Sequence, residues 1–290
     1  MAFAPHGPTF RSEAYPAYKA QREATPEDIR KAVPIIKDLL SAYRLPVLQA
    51  DGYEADDVIG TLAKKADSID GIQTYMLTPD KDYGQLVTEK VHIFRPRHGG
   101  GYEVMGPKEV CEKYGITKTA QVIDLLALMG DSADNFPGCP GVGEKTATKL
   151  INDFNSVEEL LKRTNELKGA LKQKVEDHVD DIRMSYFLAT ICTDVPIDLN
   201  LEDLKLQSPD EEKLTALFTE LEFKSLTNRV LKKVEKKPKT DNLELSLFAE
   251  FAPVGTVDSK FSSFETLKTT THDYKLVENE EEIKQLCDIS

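Results

Sequence analysis

Seven carboxylates fall in three short segments of the sequence. Glu54, Asp56 and Asp57 lie in Gly52-Tyr53-Glu54-Ala55-Asp56-Asp57. Asp80 and Asp82 lie in Thr78-Pro79-Asp80-Lys81-Asp82, and Asp131 and Asp134 in Gly130-Asp131-Ser132-Ala133-Asp134-Asn135. Oxygen donors of this kind suit hard divalent cations such as Mg2+ or Mn2+. Two such ions about 3.5–4 Å apart activate a water and stabilise the leaving oxygen in phosphodiester hydrolysis. Each segment also has a plainer reading. Acids in the first turn of a helix stabilise its dipole, and Asp after Pro or Gly is ordinary turn chemistry. Their placement favours chemistry. The first segment opens a helix expected over 54–66, with Glu54 and Asp57 sharing a face. The second follows the carboxyl end of an expected strand, where open α/β sheets build their sites. The third follows an apolar helix.

A second constellation runs Pro137-Gly138-Cys139-Pro140-Gly141-Val142-Gly143-Glu144-Lys145-Thr146-Ala147. It resembles the helix-hairpin-helix element of DNA-binding proteins. Gly141 and Gly143 would let the backbone approach a phosphate without a Cβ in the way. The free N–H groups of the helix starting at Glu144, around Thr146, favour an anion. Lys145 and Lys149, four apart, add positive charge on one face, for contact independent of base sequence. The plain alternative is a Gly-rich turn between two helices. The spacing excludes a Walker A loop.

The elements that must position these residues follow from periodicity. A helix is expected over 25–43, with Thr25 as cap, Pro26 at its first position and a stripe of Ile29, Val33, Ile36 and Leu40. Short strands are expected at Leu45–Leu48, Gln73–Thr78 and Val91–Phe94, with a turn at Gly99–Gly101. This alternation predicts an α/β layered domain with a largely parallel sheet over 1–106. A helical subdomain is expected over 107–231, with helices near 107–114, 120–129, 144–154, 156–163, 168–190 and 209–222. Residues 232–272, basic and then Ser/Thr-rich, read as a linker. From Tyr274 a strand-like run opens what reads as a further domain over 273–290.

The chain has 290 residues and a formal net charge of −13. That charge argues against a nucleic-acid partner unless the acids converge on metal ions. Its four cysteines have neither CxxC nor zinc-finger spacing and read as reduced structural thiols. Without a signal peptide or a long apolar run, a cytoplasmic protein is expected.

Taken together, these segments and Thr9-Phe10-Arg11 with Tyr15-Pro16-Ala17-Tyr18-Lys19-Ala20-Gln21-Arg22 resemble the 5′ nuclease family of bacterial DNA polymerase I. That family is related to flap endonucleases and phage 5′ exonucleases. The resemblance implies a flap-nuclease-like (PIN-like) α/β domain followed by a helical subdomain. It implies that Glu54, Asp56, Asp57, Asp80, Asp82, Asp131 and Asp134 hold two divalent ions, Mg2+ or Mn2+. Arg11, Lys19 and Arg22 would hold the 5′ single strand and the scissile phosphate. The hairpin would grip duplex DNA and, as in relatives, hold a K+ ion through its carbonyls. The implied substrate is DNA with a 5′ flap, a nick or an RNA-primer end, cut by a monomer in the bacterial cytoplasm. Two departures are expected to matter. An N-terminal strand with an early ligand Asp precedes anything seen here in the family, and a further family Asp falls at Ala4. A chain cut from a larger polymerase, binding DNA without cleaving it, is therefore the main alternative, and a PIN-like ribonuclease the next.

Overall fold

The computed structural model describes residues 1–5, 7–97, 99–198 and 200–234. Most of the expected linker and the whole segment from Tyr274 lie outside them. The first part of the chain builds α1 (Phe10–Ala14), α2 (Glu27–Ala42) and α3 (Ala55–Asp67), then β1 (Thr74–Leu77), a 3-10 turn (Asp82–Leu86), β2 (Val91–Pro96) and β3 (Tyr102–Met105). Helices follow: α4 (Pro107–Tyr114), α5 (Gln121–Met129), α6 (Glu144–Phe154), α7 (Val157–Lys162), α8 (Gly169–Asp177), α9 (Val179–Ala189), α10 (Glu211–Glu220) and α11 (Lys224–Val234).

The sheet corrects the expectation of a largely parallel one. Among the described residues it has three strands in the order β1-β2-β3, with β1 parallel to β2 and β2 antiparallel to β3. The reversal lies in the triple glycine. Gly99, Gly100 and Gly101 all have φ between 80° and 101°, a region closed to most L-residues. The chain therefore folds straight back, with Arg97 N–H bonded to Gly101 C=O. The expected strand at Leu45–Leu48 is reduced to one parallel bridge between Ala2 and Leu48. The expected helix over 168–190 is two helices, interrupted at His178 (φ −120°, ψ 29°), whose ring Nδ1 sits 2.9 Å from the Lys174 carbonyl oxygen. The last helix runs through Val234, past the expected linker start at 232.

One hydrophobic core joins the sheet to the helices. The inner face of the sheet (Met76, Val91, Ile93, Met105) packs in the same cluster as Leu125 of α5 and Ile182 of α9. Each fully buried aliphatic side chain there contributes roughly 1.5–3 kcal/mol. A smaller cluster of Ala42, Leu214 and Phe218 joins α2 to α10.

α3 and α5 decide where the acids go. Val58, Ala63 and Ala66 bury one side of α3, and a bond from the Tyr83 hydroxyl to Asp56 ties its N-terminus, with Glu54 to Asp57, to the 3-10 turn that follows β1. α5 is buried along most of its length. It ends at Gly130 (φ 70°), where the backbone crosses closely over Gly138; a Cβ on Gly138 would stand 2.2 Å from Gly130 N. That crossing makes Asp131 to Phe136 a tight loop, closed by reciprocal bonds of 3.1 Å between Asp131 and Phe136.

Candidate active site

The first and third acidic segments face the approach segment 15–22, and basic side chains from that segment reach into them, while Lys81 joins the second segment to the third. Lys19 Nζ lies 2.7 Å from Glu54 Oε1 and 3.6 Å from Asp134 Oδ2. The Arg22 guanidinium pairs with Asp134 Oδ1. Lys19 is held in a left-handed conformation (φ 55°) while its N–H donates to Asp134 C=O at 2.9 Å. A non-glycine residue there is strained and persists only where its surroundings fix it. Asn135, also left-handed, donates from its side chain to Ala17 C=O at 2.7 Å. The approach segment and the third acidic loop are thus clasped together by backbone as well as charge.

Two tyrosines not singled out in the sequence complete this arrangement. The Tyr18 hydroxyl lies 3.1 Å from Glu54 Oε2 and 3.3 Å from Asp134 Oδ2, linking the first and third acidic segments. Burial, and then the charges of Glu54 and Asp134, push its ionisation far up, so it stays a neutral donor. The Tyr83 hydroxyl donates to Asp56 Oδ1 at 2.8 Å, linking the second segment to the first. Position beside Lys19 is a sequence clue for Tyr18; no sequence pattern marks Tyr83.

The acids differ in what surrounds them. Asp57 is fully buried and accepts four hydrogen bonds, from Arg11 Nη1 and Nη2 at 2.8 and 2.7 Å and from the Glu54 and Cys192 N–H groups at 2.9 Å each. Its oxygens are spent on the fold. Arg11, 2% exposed, is its counterpart. Nε donates to Leu188 C=O, Nη2 also to Thr190 C=O, and Nη1 also to Glu54. The structure therefore uses Arg11 and Asp57, expected as a DNA contact and a metal ligand, as a buried bidentate pair tying α1 and α3 to the end of α9.

Asp82 is the opposite case. Its Oδ1 is buried and has no hydrogen-bond partner. Burial first, then the charges of Asp80, Asp131 and Asp134, push its carboxyl up to about 7 against the pull of Lys81. Asp56 is likewise raised, by burial and by Glu54 and Asp80, with the Tyr83 hydrogen bond working the other way. Asp80 Oδ1 accepts from Asp82 N–H at 3.0 Å. For Asp131, burial works upward but is outweighed by Lys81 Nζ at 2.6 Å and by the Ala133 and Asp134 amides, so its carboxyl is held down.

An orphaned, buried carboxylate oxygen among three further carboxylates is what a hard cation would relieve. Glu54, Asp56, Asp80, Asp82, Asp131 and Asp134 fit that donor set. Among the described residues no three acids are gathered as a ready-made metal site. Lys19, Arg22 and Lys81 instead neutralise Glu54, Asp134 and Asp131, and these ion pairs would have to be exchanged for metal.

The hairpin leaves the third acidic loop directly. Val142 anchors its turn in the core, while Lys145 and Lys149 of α6 are exposed. The two turn glycines differ. Gly141 has φ 78°, and a Cβ on it would lie 2.5 Å from Lys174 Nζ. Gly143 has an extended backbone that any residue adopts, and open space where its Cβ would be. Nothing within the chain requires glycine at 143, which fits the close approach of an outside group. Gly143→Ala should leave the melting temperature within about 2 °C of wild type, a sub-kcal/mol change, yet weaken duplex DNA binding severalfold. Gly141→Val should lower both. Equal duplex affinity for Gly143→Ala and wild type, by fluorescence anisotropy, would show that the turn is only structural.

No helix of the described residues is long and apolar enough to cross a membrane.

The architecture is that of the flap nucleases. The T5 D15 protein co-crystallised with metal ions superposes with a TM-score of 0.57 at 21% identity, over 75% of this chain and 84% of that one. The T5 flap endonuclease in a complex with DNA and metal ions gives 0.56 at 20% identity over 81% and 82%. The catalytic core of Rad2 with DNA substrate gives 0.55 at 18% over 81% and 78%.

Two family models match the sequence in succession: the 5′-3′ exonuclease N-terminal resolvase-like domain over residues 1–115 and the 5′-3′ exonuclease C-terminal SAM fold over 117–212. The chain belongs to the 5′-3′ exonuclease family, whose members are phosphodiester hydrolases. α4, expected to open the helical part, falls in the first of these matches. Thermostable DNA polymerase I of Thermus filiformis is 44% identical over 227 residues, and DNA polymerase I of Bacillus subtilis 44% identical over 232. Those alignments take in 78% and 79% of this chain, which spans about a quarter (26%) of each polymerase.

Proposed function

We propose that this chain is a divalent-metal-dependent 5′ nuclease that cleaves DNA at 5′ flaps, nicks and RNA-primer ends, as the 5′ nuclease part of a bacterial, cytoplasmic DNA polymerase I. The observation that carries this reading is the orphaned, buried Asp82 Oδ1 beside acids of three segments that Tyr18, Tyr83 and Lys81 link to one another.

Glu54, Asp56, Asp80, Asp82, Asp131 and Asp134 would hold Mg2+ or Mn2+, most simply as two ions; Asp57 supports them from behind through the helix N-terminus it caps. When bound, such ions supply the Lewis acidity that activates a water and stabilises the leaving oxygen. Lys19 and Arg22, released from Glu54 and Asp134 as cations take their place, are free to bind the scissile phosphate and the 5′ strand. The hairpin around Gly141, Gly143, Lys145, Thr146 and Lys149 holds the duplex backbone, and its backbone carbonyls would ligate a K+ ion. In this reading residues 1–106 carry most of the acids and 107–231 the duplex grip.

A second reading is a DNA-binding chain without turnover. Ala4, where the family's pattern has an acid, and the ion pairs that neutralise Glu54, Asp131 and Asp134 favour it. The deciding assay offers one labelled strand three ways in Mg2+: as a 5′-flap duplex, as a 3′-flap duplex and as single-stranded RNA of the same sequence. Selective cleavage at the 5′-flap junction is expected. Equal cutting of the RNA would return the chain to the PIN-like ribonucleases, and binding without cutting would favour the second reading.

A further inference from the structure

Tyr83 follows Asp82 directly in the 3-10 turn, and its ring lies in the main core, 3% exposed. A phenol buried this deeply needs a partner for its hydroxyl. It finds one on another element: Asp56 Oδ1 on α3, at 2.8 Å. The turn that presents Asp80 and Asp82 is thereby tied to the helix that presents Asp56.

The neighbouring acids are held differently. Both oxygens of Asp57 are taken by Arg11, and Glu54, Asp131 and Asp134 face ammonium or guanidinium groups. Asp56, by contrast with Glu54 and Asp57 in its segment, has no cationic partner among the described residues and is held by the Tyr83 hydroxyl through one oxygen. Its Oδ2 accepts no hydrogen bond among the described residues. A cation arriving there displaces no ion pair.

We propose that Tyr83 is a positioning residue for the metal centre: it pins the Asp56 carboxylate by Oδ1 and leaves Oδ2 to face a divalent cation. The inference rests on the nuclease reading above. It assigns to the core of the protein a residue that neither touches substrate nor ligates metal but sets how firmly Asp56 can.

The test is Mn2+ titration of the full chain, followed by electron paramagnetic resonance, for wild type, Tyr83→Phe, Asp56→Asn and the double variant. Partners that orient a metal ligand typically cost about 10–100-fold in affinity when lost. Tyr83→Phe should weaken Mn2+ binding by about 10-fold while its circular dichroism in EDTA stays that of the wild type. In the Asp56→Asn background the same change should cost nothing further, because its only route to the metal is gone. Tyr83→Leu, which also removes the hydroxyl, should reproduce the loss and serves if the phenylalanine variant does not fold. Unchanged Mn2+ affinity in a folded Tyr83 variant would overturn the inference, as would an equal loss with and without Asp56. Wild-type protein that takes up no Mn2+ would overturn the nuclease reading itself, and this inference with it.

Discussion

Arg11→Ala should melt far below the wild type. The substitution strands the Asp57 carboxylate, fully buried, with only backbone N–H groups to face it. It also leaves the Leu188 and Thr190 carbonyls without their guanidinium donor. Breaking a buried pair by removing one partner costs about 3–5 kcal/mol. In a chain of this size that is a fall of roughly 6–20 °C in melting temperature. Arg11→Lys should recover little of it, since one ammonium cannot present the planar fork that meets both Asp57 oxygens and two carbonyls. Circular dichroism melts in EDTA without DNA settle the matter. If Arg11 were a DNA contact, both variants would melt with the wild type and lose only DNA affinity.

The second large effect is carried by Asp82 and depends on pH. Its folded pKa of about 7 lies above the ordinary carboxylate value of 3.8. The folded state therefore prefers the protonated acid, and the sign is that of a penalty. Below pH 3.8 the group costs nothing. As pH rises from 3.8 towards 7 it destabilises the metal-free protein increasingly, and above 7 the penalty is complete, on the order of 2–4 kcal/mol. Metal-free protein should thus be less stable at pH 8 than at pH 5.5, and Asp82→Asn should raise its stability at pH 8. A divalent cation removes the same penalty, so Mg2+ should stabilise the wild type more at pH 8 than at pH 5.5 and the Asn variant little at either. Asp124 supplies the control. Burial raises it to about 6, against a hydrogen bond from Val157 N–H, but it lies inside α5, and Asp124→Asn should leave the response to Mg2+ intact. Thermal melts at the two pH values, with Mg2+ or EDTA, measure all of this. A wild type whose Mg2+ stabilisation is the same at both would show that Asp82 is not part of a metal site.

What could be read from the sequence was local. The acidic segments declared themselves because carboxylates gather at element boundaries, and the hairpin because two glycines flank a buried Val142. α3, α5 and α6 follow from apolar spacing and from start and stop signals within a few residues of each. The strand direction was not legible, because a hydrophobic run is the same in a parallel and an antiparallel pair; the decision lies in the three left-handed glycines at 99–101. Long-range pairing was equally hidden. Arg11 and Asp57 are 46 residues apart, and no spacing rule says which of Arg11, Lys19 and Arg22 will be buried and which left near the surface. Nothing in the sequence sets Tyr83 apart. Its use of Asp56 exists only once the turn and α3 are packed together.

The most direct measurement is cleavage of a 5′-labelled flap duplex by the wild-type chain in Mg2+ and in EDTA, beside Asp131→Asn, with binding followed in Ca2+. Cleavage at the flap junction that needs Mg2+ and falls at least about 100-fold in the variant is the predicted result, since a lost ligand should remove several kcal/mol of transition-state stabilisation. Tight, Ca2+-supported binding of the flap with no cleavage in Mg2+ would contradict it, leaving a chain that recognises 5′ nuclease substrates without cutting them.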